Sequence, residues 1–449
     1  MILKFLKPDI IELVENKNWK DLKDVLTEWP APDIADLIEN LDEKDSVILF
    51  RLLSKDLASE VFSELEPSIQ ENLVKSFGNT ELKKLIIYLS PDDRTELFDD
   101  LPSEFTQKIL NLLPAQERKE ALQLLGYPEY SVGRLMTPDF MAVRPEWSVD
   151  KSIQHIRSFG KDAETINMIY VTDGKGKLLD DIPIRRFILA NYEQTVTDLM
   201  DENFIAIQTT EDQEEAYHLM KHYDLNVLPV IDSASILLGI VTIDDIIDVL
   251  EEEITEDFHK AAAVSPVEEN YVAASPFLLY KKRVVWLLLL LVANFLSSGI
   301  ISHFEYALQA FMALAFFIPV LIDSGGNTAS QSSTLIIRAI AIGELNIKNW
   351  FLVIKKELIV GLLLGISLGF VIYIRSVFWH IGAQVGLVIG LSLIVVMLWS
   401  NLLGSILPII LTKFKLDPAV ISSPLLTTVV DASGLLIYFT IAKYILNLG

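Results

Sequence analysis

The sequence predicts a multidomain chain: an α-helical superhelical N-domain, a tandem α/β pair, an acidic connecting helix, and an all-α transmembrane domain with five spans. Three observations predict it. Charge is divided along the chain: residues 281–449 carry eleven Lys/Arg against six Asp/Glu, a net of +5, and residues 1–280 carry twenty-six against fifty-five, a net of −29. Hydropathy divides at the same place, because every apolar stretch long enough to cross a hydrocarbon core of about 30 Å follows Lys281. Residues 131–250, finally, contain an internal duplication.

A chain of 449 residues has room for two or three independent units. The acidic balance of the first part repels phosphates, which argues against a nucleic-acid partner and is compatible with cations. Cysteine is absent, so disulfides, Fe–S clusters, thiolate zinc sites and cysteine nucleophiles are excluded. Acidic residues interrupt the N-terminal stretch MILKFLKPDIIELVENKNWK before any apolar core develops. It does not read as a signal peptide, so the first 280 residues are expected to stay in the cytoplasm.

Residues 1–130 form the N-domain. Leu-rich segments of ten to fifteen residues end in turn signals, as in FSELEPSIQENL and IIYLSPDDRTELF, with Pro or Ser/Asp at helix starts. That is the pattern of a small α-solenoid, whose units bury their faces only against neighbours. In residues 131–194 and 195–250, LMTPDFMAVRPEWSVDKSI parallels LMDENFIAIQTTEDQEEAY, and MIYVTDGKGKLLDDIPIRRFI parallels VLPVIDSASILLGIVTIDDII. Each copy reads as strand, helix, strand, turn, strand, helix. This resembles a tandem pair of CBS domains, regulatory modules that often bind adenine nucleotides. The resemblance implies that Thr242 and Asp245 in GIVTIDD contact ribose and phosphate, and that a nucleotide such as ATP is a candidate ligand there. The first copy has Pro183 and Arg186 at those two positions, so one of the two sites is expected to be lost.

Residues 251–280 continue as an acidic connecting helix. At 100° per residue, Ile246, Ile247, Leu250, Ile254 and Phe258 share one face, and Asp244, Asp245, Asp248, Glu251, Glu252 and Glu256 crowd the other. Like charges three and four apart destabilise a helix. With Asp212, Glu214 and Asp224 nearby in sequence, they make an oxygen-only set that suits Mg²⁺ or Ca²⁺ better than zinc. A solvated acidic face is the plain alternative.

Residues 281–449 form the membrane domain. The first span is VVWLLLLLVANFLSSGIIS, and four more fall at 307–342, 350–378, 384–412 and 420–448. Lys281, Lys282, Arg283, Arg338, Lys348, Lys355, Lys356, Lys413 and Lys415 lie on one side, against Arg375 and Lys443 on the other. The positive-inside rule then predicts a cytoplasmic N-terminus and an outside C-terminus. The second span turns polar at Asp323, Asn327 and Gln331, which cannot face lipid, and its Gly325–Gly326 pair with Pro319 predicts a kink. Asp431 lies near the bilayer midplane in the fifth span with no Lys or Arg at its depth, where a divalent cation would compensate it.

Taken together, these parts resemble the MgtE family of Mg²⁺ channels. The segments that carry the resemblance are LLGYPEYSVGRLMT, PVLIDSGGNTASQSSTLIIRAI (with Ala329 where Gly is more usual), DPAVISSPLLTTVVDASGLLIYF and EEEITEDFHK, within coverage of about residues 30–449. The resemblance implies a homodimer in a plasma membrane, bacterial inner membrane by expectation, with a pore lined by the second and fifth spans. Asp431 would face a largely hydrated Mg²⁺, and Asp323, Asn327, Gln331, Thr428 and Gly434 are further pore-lining candidates. It also implies closure by cytoplasmic Mg²⁺ at Asp212, Glu214, Asp224, Asp245, Asp248, Glu253, Glu256 and Asp257, joined by Asp92 or Asp93 from the N-domain.

Two rival readings stand beside this one. The first is a channel for another divalent ion such as Co²⁺ or Mn²⁺, against which the absence of Cys, and of His or Met in the pore segments, counts. The second is a nucleotide-sensing membrane receptor, which leaves Asp431 unexplained. An enzyme is not expected: no nucleophile–base set or phosphate loop is present. His218 and His222 are four apart but lack an intervening acid, and DGKGK lacks the Walker spacing.

Overall fold

The computed structural model describes residues 12–14, 16, 18–267, 271, 274–341, 344–345, 349–379, 381–414, 416–418 and 423–448. Lys348 and Lys415, used above for orientation, lie outside them. The chain forms two compact units, Met1–Glu251 and Glu252–Gly449.

From Trp19 on, the described residues of the first unit form nine short helices before the duplicated pair: α1 (Trp19–Leu26), α2 (Ala31–Glu39), α3 (Glu43–Leu52), α4 (Lys55–Ser63), α5 (Pro67–Ser76), α6 (Asn79–Tyr88), α7 (Pro91–Asp100), α8 (Ser103–Leu112) and α9 (Ala115–Leu124). Their starts are the signals read in the sequence. Asp42 and Ser90 cap α3 and α7 by accepting the amide N–H of Asp45 and Asp93, and Pro occupies the first turn of α2, α5 and α7. Odd and even helices stack as two rows, α1 on α3 on α5 on α7 and α2 on α4 on α6 on α8. One continuous core runs between them, including Leu22, Ile38, Leu49, Phe62, Leu73, Leu82 and Ile86. This is the expected superhelix.

The duplicated pair follows the single-turn helix α10 (Val132–Leu135). In the first copy β1 (Ala142–Val143), β2 (Met168–Thr172) and β3 (Leu178–Pro183) form a sheet of that order, parallel then antiparallel. In the second, β4 (Ile207–Gln208), β5 (Val227–Ile231) and β6 (Leu237–Thr242) repeat it. Each copy has one helix before its second strand, α11 (Val149–Phe159) and α13 (Gln213–Tyr223), and one after its third, α12 (Ile184–Leu189) and α14 (Ile243–Ala261). The register is the same to the residue: Met168 pairs with Pro183 as Val227 pairs with Thr242, so Pro183 does stand where the second copy has Thr242. The copies interlock. Thr137, ahead of the first sheet, bridges Ile240 of the second, and Lys177 bridges Ile236. Tyr170, Leu178, Val227, Leu237 and Ile240 form a core between the sheets.

Among the described residues of the second unit, five helices are long and apolar enough to cross a membrane. They are α15 (Pro276–His303); a span from Met312 to Ala341, made of a 3₁₀ segment and α17 (Ile318–Ala341); α18 (Trp350–Phe378); α19 (Ala383–Lys413); and α20 (Ser423–Ile445). The short α16 (Glu305–Ala310) lies between the first two. Helix α19 is the centre, with Val388, Ile389, Leu393, Val396 and Met397 buried. Helix α18 lies along it on small residues: a Cβ on Gly365 would stand 2.6 Å from the Ile394 Cα, and one on Gly369 2.8 Å from the Gly390 carbonyl oxygen. Because those neighbours are backbone, they cannot yield by a rotamer change. Gly365→Leu is therefore expected to destabilise the unit by about 1–3 kcal/mol, as overpacking does. A lower melting temperature in detergent, read by tryptophan fluorescence, checks it.

The predicted kink is absent. Helix α17 runs unbroken through Gly325 and Gly326, and Pro319 falls in its first turn, where the missing N–H costs no intrahelical bond. The glycines serve close approach instead. A Cβ on Gly326 would stand 2.6 Å from Thr427 Cγ2, and one on Gly325 3.0 Å from Val396 and 3.1 Å from Val430.

Candidate functional site

Helix α17 is two-faced. Leu321, Gly325, Thr328, Ala329, Ser332 and Ile336 are buried against α19 and α20, whereas Asp323, Asn327, Gln331 and Thr334 are exposed. The exposed residues recur at four, four and three, one stripe of a helix with about 3.6 residues per turn. Hydrocarbon would leave these polar groups without partners, so the stripe needs water or protein beside it.

Asp431 comes from α20, eight residues after Ser423, or about 12 Å along the axis. It is half-buried, and its Oδ1 is enclosed with no hydrogen-bond partner. Asp323 is the charged group whose field reaches it, so two carboxylates from different spans repel each other here. Among the described residues, the ion pairs of this unit all involve Lys260 and none touches either carboxylate. Thr428 and Gly434 lie three residues to either side of Asp431. The Thr428 hydroxyl donates to the Pro424 carbonyl at 2.9 Å, which leaves its lone pairs as acceptors. Gly434 is buried, with room for a Cβ at 3.6 Å from Val396.

A second acidic concentration lies in the first unit, between the start of α7 and the start of α14. Asp92 is buried, its Oδ1 has no partner, and burial followed by repulsion from Asp245 and Asp93 pushes its carboxyl well up. Burial also raises Asp245 to about 7, although the Thr242 hydroxyl donates to its Oδ2 at 2.6 Å, and Asp244 and Asp93 add repulsion. Asp93 accepts from the Ser63 hydroxyl at 2.8 Å. Glu64, Glu164 and Asp248 complete the group, each raised first by burial and then by these same acids. Nearby, Arg94 pairs with Glu120 at 2.7 Å, with its side chain almost wholly buried.

The structure therefore joins Asp92, Asp93, Asp245 and Asp248 from the sequence-derived set and adds Glu64, Asp244 and Glu164. Nothing local marks Glu64 or Glu164, which reach the cluster only through folding. Asp212, Glu214 and Asp224 are not brought to it. Asp212 caps α13, taking the Glu214 amide N–H at 3.0 Å, and Asp224 ends the same helix in a left-handed conformation with φ 56°. Thr242 and Asp245, the nucleotide candidates, are bonded to each other. Among the described residues, no three His, Cys, Asp or Glu side chains are disposed to hold a metal ion as they stand.

In the second unit, the Lys260 Nζ at the end of α14 stands 2.9 Å from both Glu256 and Asp417. Burial works against its charge, but those two carboxylates outweigh it and hold the ammonium protonated. Asp257 beside it is raised, first by burial and then by Asp417. Glu253 also lies on this stretch of α14. The ammonium thus ties the connecting helix to the segment before α20, a tie that sequence alone, 157 residues apart, does not reveal.

Residues 318–441 match the divalent cation transporter family MgtE, residues 29–130 its intracellular N domain, and residues 196–252 the CBS domain. The chain is 38% identical over 439 residues to the magnesium transporter MgtE of Thermus thermophilus, covering 97% of each. It is 34% identical to the magnesium transporter MgtE of Bacillus subtilis, covering 96% of each. A solved structure of the cytosolic domain of the Mg²⁺ channel MgtE in complex with ATP matches with 34% identity and a TM-score of 0.53, over 54% of this chain and all of that one.

Proposed function

The chain belongs to the MgtE family of divalent cation transporters, and on that premise we propose that it conducts Mg²⁺ across the membrane and is closed by Mg²⁺ on its cytoplasmic side. The observation that carries the reading is the unneutralised Asp431 at membrane depth beside the polar stripe of Asp323, Asn327 and Gln331. Mg²⁺ dehydrates reluctantly and is held through its waters by oxygen ligands, so carboxylates and amides spaced along a wet path suit its hydrated form. A homodimer would close the exposed stripe over a shared path, with Thr428 and Gly434 along its wall. The basic residues at the span ends support a cytoplasmic N-terminus and an outside C-terminus. The absence of Cys, and of His and Met on the stripe, favours Mg²⁺ over Co²⁺ or Mn²⁺.

Closure follows from the acids outside the spans. Asp92, with its orphaned oxygen, and Asp245, Asp248 and Asp93 around it form a crowded oxygen donor set that a divalent cation would relieve, and Glu253, Glu256 and Asp257 offer another near Asp417. Asp212, Glu214 and Asp224, spread along α13, would need a second element to complete a site. A ligand stabilises closure only so far as it binds the closed state more tightly. Thr242 and Asp245 keep the nucleotide pattern, so an adenine nucleotide at the second CBS copy is part of the same proposal.

Purified protein in liposomes containing a Mg²⁺ indicator tests the reading: uptake is expected when Mg²⁺ on the cytoplasmic face is low, and suppression when it is high. No uptake by correctly inserted protein would turn the reading to a nucleotide-sensing receptor. In the same assay Lys260→Gln, which removes the ammonium shared by Glu256 and Asp417, is expected to shift the suppressing Mg²⁺ concentration by about two- to fivefold, as exposed ion pairs of 0.2–1 kcal/mol allow.

A further inference from the structure

Helix α18 contains a single acid, Glu357, seven residues or about 10 Å inside its start at Trp350. It is half-buried, and no ion pair holds it among the described residues, although Lys355 and Lys356 precede it. An acid inside a span is costly and calls for a role. Its partners belong to two other helices. The Ser332 hydroxyl on α17 donates to Glu357 Oε2 at 2.9 Å, and the Asn401 amide on α19 donates to the Glu357 backbone carbonyl at 3.1 Å. Both donors are buried, with Ser332 3% and Asn401 2% exposed. Ser332 lies nine residues from Asp323, about 180° around the helix, and about 140° from Asn327. The bond thus grips the back of α17 while the stripe occupies its front.

We infer that Glu357 is a positioning residue for the ion path: through Ser332 it fixes the rotation of α17 about its own axis, and with it the aim of Asp323, Asn327 and Gln331. The inference rests on the proposed Mg²⁺ conduction only for its flux readout. The physical reason is that, between Leu321 and Ile336, the buried surface of α17 around Ser332 and Thr328 is built of small residues, Gly325, Gly326, Ala329 and Ser333, which seat a helix closely but mark its rotation weakly. A side-chain hydrogen bond at 2.9 Å is directional and supplies that mark.

The test uses the full-length protein in liposomes and two readouts. Mg²⁺ uptake is compared for Glu357→Leu, Glu357→Gln, Ser332→Ala and the Leu/Ala pair. Orientation is read in the naturally cysteine-free chain by placing Asn327→Cys and timing its labelling with a membrane-impermeant thiol reagent. Glu357→Leu and Ser332→Ala are each expected to cut uptake by roughly fivefold or more and to slow labelling, and the pair to do no more than either, the mark of one shared bond. Glu357→Gln, whose amide oxygen still accepts from Ser332, keeps most of both. Should Glu357→Leu fail to fold, Ser332→Ala removes one hydroxyl only and carries both readouts. Unchanged labelling in the folded variants, or losses that multiply in the pair, overturns the inference. So does a Gln variant as impaired as Leu, which would make the charge itself act on the ion. If the wild type carries no Mg²⁺ the conduction reading fails, while the labelling rates still decide the role of Glu357.

Discussion

Asp431→Ala is expected to lower Mg²⁺ uptake by about two orders of magnitude or more. A single negative charge and a dication about 5 Å apart at an effective dielectric of about 20 attract by roughly 6–7 kcal/mol, and each 1.4 kcal/mol retained at the barrier is worth tenfold. Losing even half of that attraction gives the stated fall. The variant should fold at least as well as the wild type, because it removes an enclosed carboxylate oxygen that has no hydrogen-bond partner. Asp431→Glu, which keeps the charge, should retain measurable uptake. Asp323→Asn should act in the same direction with a smaller effect, since Asp323 is exposed where Asp431 is half-buried. Radiometric or indicator uptake at several external Mg²⁺ concentrations, beside a melting curve for each variant, checks all three. Full uptake by Asp431→Ala would remove the carboxylate from the path.

In metal-free buffer, the contact between α7 and α14 in the first unit is expected to loosen as pH rises through about 7. A carboxyl raised by folding binds its proton more tightly in the folded chain than in the unfolded one, so its favourable contribution is full below about pH 4 and is lost as pH climbs through the folded value. For Asp245 the window runs from 3.8 to about 7, and the neighbouring Asp92 is displaced in the same direction. At 1.36 kcal/mol per pH unit, the loss by pH 8 is up to about 4 kcal/mol. Millimolar Mg²⁺ should restore at pH 8 what the proton supplies at pH 5. Amide exchange in the full-length protein reads this directly: protection at the first turns of α7 and α14 should fall between pH 6 and 8 after chelation, once intrinsic exchange rates are corrected, and return with Mg²⁺. Asp92→Asn and Asp245→Asn should flatten the profile, as each removes one of the repelling charges. A flat profile in the wild type would show that repulsion does not govern the contact.

The membrane half was legible because a span is a composition, and composition survives without knowledge of contacts. The duplicated pair was legible down to Pro183 at the position equivalent to Thr242, because two copies of one pattern check each other's register. The error over α17 has a specific source. Gly-Gly beside a polar run reads as a break when the helix is considered alone, but here Thr427, Val396 and Val430 fill the space that the missing side chains leave. Asp212 and Asp224 stand at the two ends of α13, one as its N-cap and one in a left-handed C-terminal turn, roles that a run of acids in a sequence does not reveal. Glu64, Glu164 and the Lys260–Asp417 pair carry no local signature. Their meaning depends on what lies opposite, and that is set by tertiary structure.

The interlocking of the two sheets fixes an order of events during synthesis. The segment around Thr137 has its bridging partner, Ile240, only after roughly 100 further residues, or about 5–20 s of elongation, have left the ribosome. Until then the first copy waits with part of its backbone unsatisfied. All of residues 131–250 precede the first span in the chain. The duplicated pair can therefore assemble before any apolar helix is handed to the insertion machinery, and a nascent chain stalled between the two copies would expose an incomplete edge for other strands to meet.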